Sequence, residues 1–324
     1  MRILVGGASG LIGGALLPLL AGRGHEVVRL VRGSDGGGSG GGGGSGGSGD
    51  GGGGSGGGTS LAGTVPWDPD RGILEPAHLR GIDAVVHLGG VSIASGRWTT
   101  ARKQAILESR VRSTLLLAER IASAPSSDRP RALVVASAVG YYGDRGEERI
   151  TEASAPGEGF LADVCRAWED AVAPAFRAGA RVAHARTGMV LSRQGGALAA
   201  MLLPFRLGLG GPIGNGRQWW PWISLDDMAA VYLRLIEDEK ISGAVNAVAP
   251  EAVTSAEFAR ALGRVLHRPA VLPAPAFALR LLLGEMADAL LLAGAKVVPE
   301  RLTRAEFSYR HPRLDDALRA ALVR

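Results

Sequence analysis

Short apolar runs alternate with longer amphipathic segments along the chain, and the alternation begins at its first residues. Ile3, Leu4 and Val5 form a continuous apolar run, and a glycine-rich turn separates it from an apolar segment of helical length at residues 11–20. A second apolar run follows at residues 26–31. Continuous runs of this length are typical of parallel strands covered on both faces. The opening segment therefore predicts a strand, a helix and a second strand.

The same alternation continues through most of the chain. We expect further strands near residues 64–67, 83–88, 132–137, 182–186 and 245–248, and helices over residues 100–123 and 160–177. Strands that alternate with helices in this way form a parallel sheet with helices on both faces. The predicted fold class is α/β, a doubly wound parallel sheet of the Rossmann type with a smaller substrate-side region.

The last part of the chain follows a different pattern. Capping signals at residues 224–227 and 254–257 predict two helix starts. From about residue 269 the sequence becomes helix-forming and punctuated by prolines, and we interpret its apolar segment at 277–292 as one packed helix. The predicted domains are residues 1–268, which contain the sheet, and residues 269–324, a small C-terminal helical unit.

Residues 33–60 contain only Gly, Ser, Asp and Thr. Such a composition has no apolar surface to bury, so it predicts a disordered insertion between the second and third strands. The pattern is compatible with a natural expansion and with an engineered linker.

Composition narrows the class of protein. The chain has 324 residues, 46% of them hydrophobic, which is typical of a globular protein with a large core. The net charge is +5, but arginines are interspersed with acids, as at residues 144–149, so we expect no nucleic-acid partner. The single cysteine, Cys165, excludes an internal disulfide and multi-cysteine zinc sites; we expect no metal and a cytoplasmic location. No stretch has the continuity of a membrane span or signal peptide, so we expect no membrane partner.

The turn after the first strand carries the strongest functional signal. Its glycines have three distinct uses: a tight turn, close approach of phosphates to backbone N–H groups, and close packing of helix on strand. The positive end of the following helix then faces the phosphates. This pattern predicts a dinucleotide site. The cofactor-binding residues predicted in the turn are Gly7, Ser9, Gly10, Leu11, Ile12 and Gly13.

Arg32 indicates which dinucleotide is bound. NAD sites usually have a carboxylate at the end of the second strand, where it accepts hydrogen bonds from the ribose 2′-hydroxyl. Here the strand ends at Arg32 and no acid occurs before Asp35. A guanidinium suits a 2′-phosphate, so NADP(H) is the predicted cofactor. The alternative is a solvated arginine at a strand end.

Motifs distributed over nearly the whole chain resemble those of one family. They are GASGLIG at 7–13, GHEV at 24–27, WDP at 67–69, GRWT at 96–99, SRV at 109–111, SAVGYYGD at 137–144, RTG at 186–188, PFRLGLGG at 204–211, GRQ at 216–218, PWI at 221–223, NAVAP at 246–250 and LLLGEM at 281–286. The chain resembles the extended and atypical branch of the short-chain dehydrogenase/reductase superfamily. Within that branch it is similar to epimerase-like proteins with a small C-terminal domain of unknown function.

The resemblance implies an NADP(H)-binding sheet and further cofactor residues. Leu88 and Gly89 would pass near the adenosine, and Arg110 and Val190 would reach the cofactor. For Leu88 and Val190 the alternative is core packing. For Arg110 the alternative is a surface or ion-paired arginine.

The chain departs from the superfamily at its acid/base pair. Active members carry Tyr-x-x-x-Lys on the helix after the fifth strand, where the tyrosine exchanges a proton with substrate and the lysine lowers its pKa and binds the ribose. The resemblance places Leu161 and Cys165 at these positions, and Cys165 is expected to be a small core residue. Ser137 and Tyr141 are the alternative catalytic hydroxyls. A loop-closing wall is the other interpretation of Tyr141 and its neighbour Tyr142.

Substrate residues are expected beyond the carboxyl ends of the strands. The densest cluster there is at residues 214–222, and Arg217, Gln218 and Trp219 are the predicted substrate-binding residues. The alternative is that the tryptophans cover a hinge between domains. The sequence predicts an NADP(H)-dependent oxidoreductase or epimerase-like enzyme for a small polar substrate. A non-catalytic NADP(H)-binding sensor or scaffold is the alternative.

Overall fold

The structure is a computed structural model that describes residues 1–33 and 61–323. The predicted insertion at 33–60, apart from Gly33, lies outside the described residues. In the described ranges the strands are β1 (Arg2–Gly6), β2 (Glu26–Arg32), β3 (Leu61–Trp67), β4 (Ala84–His87), β5 (Ala132–Ala138), β6 (Gly146–Ile150), β7 (Arg181–Thr187), β8 (Met189–Leu191), β9 (Trp219–Trp220), β10 (Trp222–Ser224), β11 (Gly243–Ala247), β12 (Val253–Thr254) and β13 (Ala295–Val297). The helices are α1 (Leu11–Gly22), α2 (Thr100–Ser123), α3 (Phe160–Asp170), α4 (Ala173–Arg177), α5 (Gly196–Arg206), α6 (Leu225–Glu237), α7 (Ser255–Leu266), α8 (Ala276–Leu283), α9 (Glu285–Ala287), α10 (Glu300–Arg304) and α11 (Leu314–Val323).

Seven strands form one parallel sheet in the order β11-β7-β5-β4-β1-β2-β3. The strand order reverses beside β1, which pairs with β2 on one edge and β4 on the other. Helix α1 packs against α6, and α2 packs against α3 and α4, as expected when right-handed crossovers cover both faces of a sheet. The predicted α/β class and doubly wound sheet are confirmed.

The interior of the sheet is the apolar core that the sequence pattern predicts. Ile3, Leu4 and Val5 of β1 have no exposed surface. In the register of the sheet, Leu4 lies between Val28 of β2 and Val85 of β4, both buried. The packed core therefore holds the carboxyl ends of these central strands in place, together with the first residues of the loops that follow them.

The predicted helix at residues 160–177 is wrong as a single element. Helix α3 ends at Asp170, and α4 begins at Ala173 after a short break. Pro174 lies in the first turn of α4. Proline has no N–H to donate and its ring clashes with the preceding turn, so it is tolerated at a helix start and breaks a helix interior.

Both predicted helix starts are confirmed. Ser224 caps α6 by accepting a hydrogen bond from the Asp227 N–H at 3.0 Å. At α7, Thr254 and Glu257 form a reciprocal capping box, in which Glu257 accepts from the Thr254 N–H at 2.7 Å.

The apolar segment at 277–292 is not one packed helix. Helix α8 ends before Gly284 (φ +64°), and α9 and a single π-turn (Asp288–Leu292) follow it. The side chains of Phe277 and Leu281 are about three-quarters exposed, because no element within residues 1–33 and 61–323 covers that face of α8. The C-terminal unit also contains a strand, β13, which pairs with β6. Across the described ranges, no helix combines the length and the apolarity needed to cross a membrane.

Candidate functional site

The turn between β1 and α1 requires glycine at two positions. Gly7 has φ +78°, and a Cβ there would lie 2.7 Å from the backbone nitrogen of Gly89. A Cβ on Gly13 would lie 2.5 Å from the carbonyl oxygen of Ala8. Real Cβ atoms do not approach so closely. Gly7 therefore lets the turn pack on the loop after β4, and Gly13 lets α1 pack on the turn. The tight turn at Gly7 is the use predicted from the sequence, whereas Gly13 packs on the turn and not, as predicted, on the strand.

Gly10 differs from these two glycines. A Cβ at this position would meet only the Gly7 carbonyl oxygen, at 3.3 Å, so the space above it is open. Gly10 is the N-cap of α1, where no side chain caps the helix and no acidic residue lies in the first turn. The unpaired N–H groups of a helix start carry partial positive charge. The turn is therefore open to an anionic group, and its donor set fits a diphosphate.

A cavity of about 510 Å³ adjoins this turn. Residues 9–11 form one part of its wall, and residues 192–194, after β8, form another. Arg193 brings an exposed cation to this wall. Sequence reasoning missed Arg193, because its segment only meets the turn through the pairing of β8 with β10 and the packing of α6 on α1.

Arg32 lies at the same edge of the sheet, at the end of β2. Its side chain is 61% exposed, and its Nη1 lies 3.7 Å from Oδ2 of Asp70. An exposed pair at this distance is weak. The guanidinium is thus open to an anionic ligand at this edge of the sheet.

Packing around the glycine turn involves Leu88, Gly89 and Val190. The Leu88 N–H donates to the Gly6 carbonyl at 2.8 Å, and Gly89 contacts Gly7. Leu88 and Val190 are half-buried and pack against the central core, as the packing alternative expects. Their contact with cofactor stays a prediction.

Arg110 projects from α2 toward the loop after β4. Its Nη1 donates to the carbonyl oxygens of Val91 at 3.1 Å and Ile106 at 2.9 Å. Its Cζ lies 5.1 Å from the centre of the Trp168 ring. Among residues 1–33 and 61–323 no carboxylate forms an ion pair with it, so the ion-paired alternative finds no partner in that part of the chain.

Ser137 belongs to a buried polar network. The serine is 3% exposed, and its Oγ donates to Oε1 of Glu169 at 2.7 Å. Arg186 donates to both oxygens of Glu169, through Nε and Nη2, at 2.8 Å each. Burial raises the pKa of the Glu169 carboxyl, but the hydrogen bonds and charge of Arg186 outweigh it and hold the pKa below its usual value. The only proton of the Ser137 hydroxyl is therefore engaged by an ionised carboxylate.

The two tyrosines after β5 have different environments. The Tyr142 hydroxyl is fully buried; it accepts from Arg186 Nη1 at 2.9 Å and donates to Asn246 Oδ1 at 2.6 Å. Tyr141 is half-buried, and Arg186 Cζ lies 3.4 Å from its ring centre. The Tyr141 hydroxyl makes no hydrogen bond within the described part of the chain. Of the hydroxyls at this strand end, that of Tyr141 is the one free to meet a ligand.

The positions of the missing acid/base pair are filled by packing. Leu161 packs on the backbone of Gly140, where a Cβ would lie 3.2 Å from the leucine Cβ. Cys165 is 3% exposed and its thiol donates to the Ala138 carbonyl at 3.6 Å. Burial raises the pKa of the Cys165 thiol to about 11, with Glu169 adding to the shift. Cys165 is confirmed as a protonated core residue.

The tryptophan-rich segment contacts residues that lie well before it and well after it in the chain. Gln218 Nε2 donates to the carbonyls of Ile213 at 3.1 Å and Leu291 at 2.8 Å. Trp219 Nε1 donates to Glu147 at 3.0 Å, and the Lys296 ammonium lies 4.5 Å from its ring centre. Arg217 is exposed, and its guanidinium contacts no partner among the described residues. Gln218 and Trp219 are therefore engaged by neighbouring segments, while the Arg217 guanidinium stays open to a ligand.

The models of two known families match this chain, and together they span most of it. The model of the NAD dependent epimerase/dehydratase family matches residues 3–247, and that of a domain of unknown function (DUF1731) matches residues 274–321. The epimerase family protein Mb2239 of Mycobacterium bovis is 39% identical over 322 residues, covering 99% of this chain and 98% of the relative.

Two solved structures are also similar. The human epimerase family protein SDR39U1 (isoform 2), described with NADPH, has a TM-score of 0.81 and 35% identity, with 99% of each chain covered. A nucleoside-diphosphate sugar epimerase from Corynebacterium glutamicum has a TM-score of 0.73 and 35% identity, covering 99% of this chain and 58% of the other.

Proposed function

Since the chain belongs to the NAD-dependent epimerase/dehydratase family, we propose that it binds NADP(H) and acts as an oxidoreductase or epimerase-like enzyme on a small polar substrate of the sugar or carbonyl class. The observation that carries the proposal is the turn at Gly7, Gly10 and Gly13, which is closed by backbone on two sides and open above Gly10. The cofactor, when bound, supplies or accepts a hydride. The residues of this chain bind and orient the cofactor and transfer the proton that accompanies the hydride.

The proposed cofactor contacts divide by the part of the nucleotide they meet. The N–H groups at the start of α1 hold the diphosphate, and Arg32 holds the 2′-phosphate. The human relative described with NADPH supports this choice of cofactor. The full proposed set is Gly7, Ser9, Gly10, Leu11, Ile12, Gly13, Arg32, Leu88, Gly89, Arg110 and Val190.

We assign proton transfer to Tyr141, because its hydroxyl is open while those of Ser137 and Tyr142 are committed within the buried network. Arg186 fixes the Tyr141 ring by stacking at 3.4 Å. Ser137 then contributes as a positioning residue, since it orients the Glu169 carboxylate that holds Arg186. Arg217, Gln218 and Trp219 stay in the proposal as the substrate side, with Arg217 carrying the free donors.

The second candidate is an NADP(H)-binding sensor or scaffold without turnover. A specific observation favours it: Leu161 and the protonated Cys165 thiol are packed where related enzymes have their acid/base pair. A leucine has no proton to give, and a thiol with a pKa of about 11 does not activate a tyrosine.

Location and partners follow from the same residues. Cys165 is a buried free thiol, which suits the reducing cytoplasm that we propose as the location. Exposed arginines pair with acids, as Arg112 does with Glu108 and Arg264 with Asp315. Dispersed pairing of this kind is unlike a basic stripe for phosphates of a nucleic acid, and we propose no such partner.

The test has two stages. Calorimetric titration with NADPH, NADP⁺ and NADH first establishes binding. The loaded protein is then incubated with nucleoside-diphosphate sugars, aldehydes and ketones, and both cofactor absorbance and product are followed. Turnover that is lost in Tyr141→Phe and kept in Tyr309→Phe, a tyrosine whose hydroxyl binds the Val248 carbonyl, supports the enzyme. Binding without turnover supports the sensor, and no binding of any nucleotide refutes both.

A further inference from the structure

Five exposed aliphatic side chains lie where the end of α5 meets the segment after α7. They are Leu203, Leu207, Leu209, Val271 and Leu272, here called the aliphatic strip, and they are between 49% and 73% exposed. Within residues 1–33 and 61–323 no element covers them. A cluster of exposed apolar side chains, unlike a single one, marks a surface that contacts another molecule.

Backbone contacts hold the two segments of the strip together. The Leu272 N–H donates to the Gly210 carbonyl at 3.1 Å. A Cβ on Gly211 would lie 2.1 Å from the Leu272 carbonyl oxygen, so only glycine lets the two chains lie this close. The aliphatic strip is therefore one surface fixed by the fold.

An open, basic cavity of about 570 Å³ adjoins the strip. Its lining includes Arg260, Arg264, His267 and Arg268, together with Val271 of the strip. Arg260 and Arg264 are one helical turn apart, so they lie on the same face of α7. Because Val271 belongs to both, the cations and the aliphatic side chains form one continuous surface.

Three arginines of this surface have donors open to a ligand. Arg268 donates through Nε and Nη1 to the backbone carbonyls of Arg206, at 3.0 Å, and His267, at 3.3 Å. Its Nη2 has no hydrogen-bond partner among the described residues. Arg260 interacts electrostatically with Glu257, but its guanidinium forms no hydrogen bond in the described part of the chain. The exposed side chain of Arg206 forms none there either.

A structural role explains only part of this charge. Arg264 pairs with Asp315 at 2.8 Å. Arg264 and Arg206 also lie in the last turns of α7 and α5, where a cation complements the helix dipole. The dipole effect falls off beyond the last turn, so it does not account for Arg260. It does not account for the aliphatic strip at all.

Charge and apolarity together identify the kind of partner. A second copy of this chain would bring the arginines of both molecules together across a two-fold axis, where like charges repel. A small soluble phosphate would bind the arginines and leave the strip in water. Leucine and valine, the only residue types in the strip, are under-represented among hot spots of protein interfaces. An anionic bilayer offers phosphates to the guanidiniums and an apolar boundary to the strip.

We propose that this surface docks the protein onto an anionic phospholipid bilayer. The aliphatic strip enters the boundary between headgroups and acyl chains, and Arg206, Arg260 and Arg268 bind lipid phosphates. The sequence predicts no membrane partner because no stretch can span a bilayer, but that reasoning does not apply to a surface contact made by segments that meet only in the fold. Docking needs neither nucleotide nor turnover, and none of these residues lines the cavity beside the glycine turn. The proposal is therefore independent of the proposed function.

The test measures sedimentation of the full chain with two kinds of vesicle: pure phosphatidylcholine, and equal parts of phosphatidylcholine and phosphatidylglycerol. Arg206→Gln/Arg260→Gln removes two charges whose side chains make no hydrogen bond in the described ranges. Leu207→Ser/Val271→Ser removes two apolar side chains of the strip. The matched control is Phe176→Ser/Arg177→Gln, because both residues are exposed on α4, which packs on α2. Thermal unfolding should be nearly the same for all four proteins, since every changed side chain is exposed.

We expect the wild-type protein to sediment with the anionic vesicles, to be released by high salt, and to stay in solution with the neutral ones. The arginine variant should bind the anionic vesicles about tenfold more weakly or less. The strip variant should lose about as much, and the control should match the wild-type protein. This pattern supports the proposal.

The other outcomes overturn it. Wild-type protein that sediments with neither kind of vesicle has no bilayer contact. If that protein is instead a dimer in analytical ultracentrifugation and the strip variant is a monomer, the strip belongs to a second copy. If it binds inorganic phosphate in calorimetry but no vesicle, the cavity is a site for a soluble phosphate. A control variant that loses as much vesicle binding as the other two would show that net charge and general apolarity, and not this surface, cause the binding.

Discussion

Arg186 and Glu169 form a two-pronged ion pair in the interior, with side chains only 5% and 12% exposed. The carboxylate lies on α3 and the guanidinium on β7. The Ser137 hydroxyl also donates to Glu169, and Arg186 donates to the Tyr142 hydroxyl. Two strands, one helix and the turn after β5 are therefore tied together beneath the candidate site.

The first prediction concerns this pair. Glu169→Gln leaves the Arg186 charge buried without compensation, so the free energy of unfolding should fall by about 3 kcal/mol. Urea unfolding followed by circular dichroism measures the loss. Asp315→Asn is the control, because it disrupts an exposed pair with Arg264 and should cost less than about 1 kcal/mol. Equal losses in the two variants would mean that the buried pair contributes no more than a surface one.

The second prediction concerns His87 and pH. His87 is completely buried, its Nε2 bonds to Ser113 Oγ at 2.8 Å, and its Nδ1 has no hydrogen-bond partner among the described residues. Burial first, and then the charges of Arg110 and Arg32, lower its pKa from 6.5 to about 4. Below pH 6.5 the unfolded chain binds a proton that the folded chain refuses. The folded state should thus lose about 3 kcal/mol between pH 6.5 and pH 4.

His87→Gln, which keeps an amide donor for Ser113, should remove this part of the pH dependence. Unfolding is measured at several values between pH 7 and pH 4 for both proteins. The stability difference between them should change sign or shrink as the pH falls, because only the wild-type protein carries the buried imidazole. Parallel pH profiles would show that His87 takes up its proton freely in the folded state.

The central sheet was predictable because its central strands β1, β4 and β5 contain short continuous apolar runs. Helix α2 was predictable to its ends, because its amphipathic pattern agrees with its cap, Thr99, which accepts from the Arg102 N–H. The exposure of α8 was not predictable, since an apolar run says nothing about whether an element packs on it. Only the fold shows that Phe277 and Leu281 are left exposed by the elements that the structure describes.

The candidate site was predictable where it is local in sequence and missed where it is assembled in space. The glycine turn is read from seven consecutive residues. The buried network joins Ser137 to Glu169 and Tyr142 to Asn246, pairs that are 32 and 104 residues apart. Three of these four residues stand in recognisable motifs and Glu169 does not, and a motif does not say which partner its side chain meets. The engaged hydroxyl of Ser137, and the open one of Tyr141, could be distinguished only from the structure.

The third prediction separates the glycines of the turn. Gly10→Ala adds a methyl whose one close contact is the Gly7 carbonyl oxygen, at 3.3 Å, so the fold should be kept with a small local shift while NADPH affinity falls at least about tenfold. Gly22→Ala is the matched control, because a Cβ there meets nothing within 4 Å and Gly22 lies at the opposite end of α1. That change should leave affinity unchanged and stabilise α1 by about 0.5–1 kcal/mol. Calorimetry and thermal unfolding check both; unchanged affinity in Gly10→Ala would place the diphosphate elsewhere.

The last prediction tests the selection of NADP(H) by Arg32. Arg32→Gln removes a bidentate donor for the 2′-phosphate, and charge-assisted hydrogen bonds of this kind contribute about 1.5–3 kcal/mol. NADPH affinity should therefore fall about 10- to 100-fold while NADH affinity stays within about twofold. Arg23→Gln has the same change in net charge, but Arg23 pairs with Glu237 beyond the end of α1 and should change neither affinity. Asp70→Asn should strengthen NADPH slightly, because it releases Arg32 from its exposed partner. Equal losses for NADPH and NADH in Arg32→Gln would assign the 2′-phosphate to a different cation.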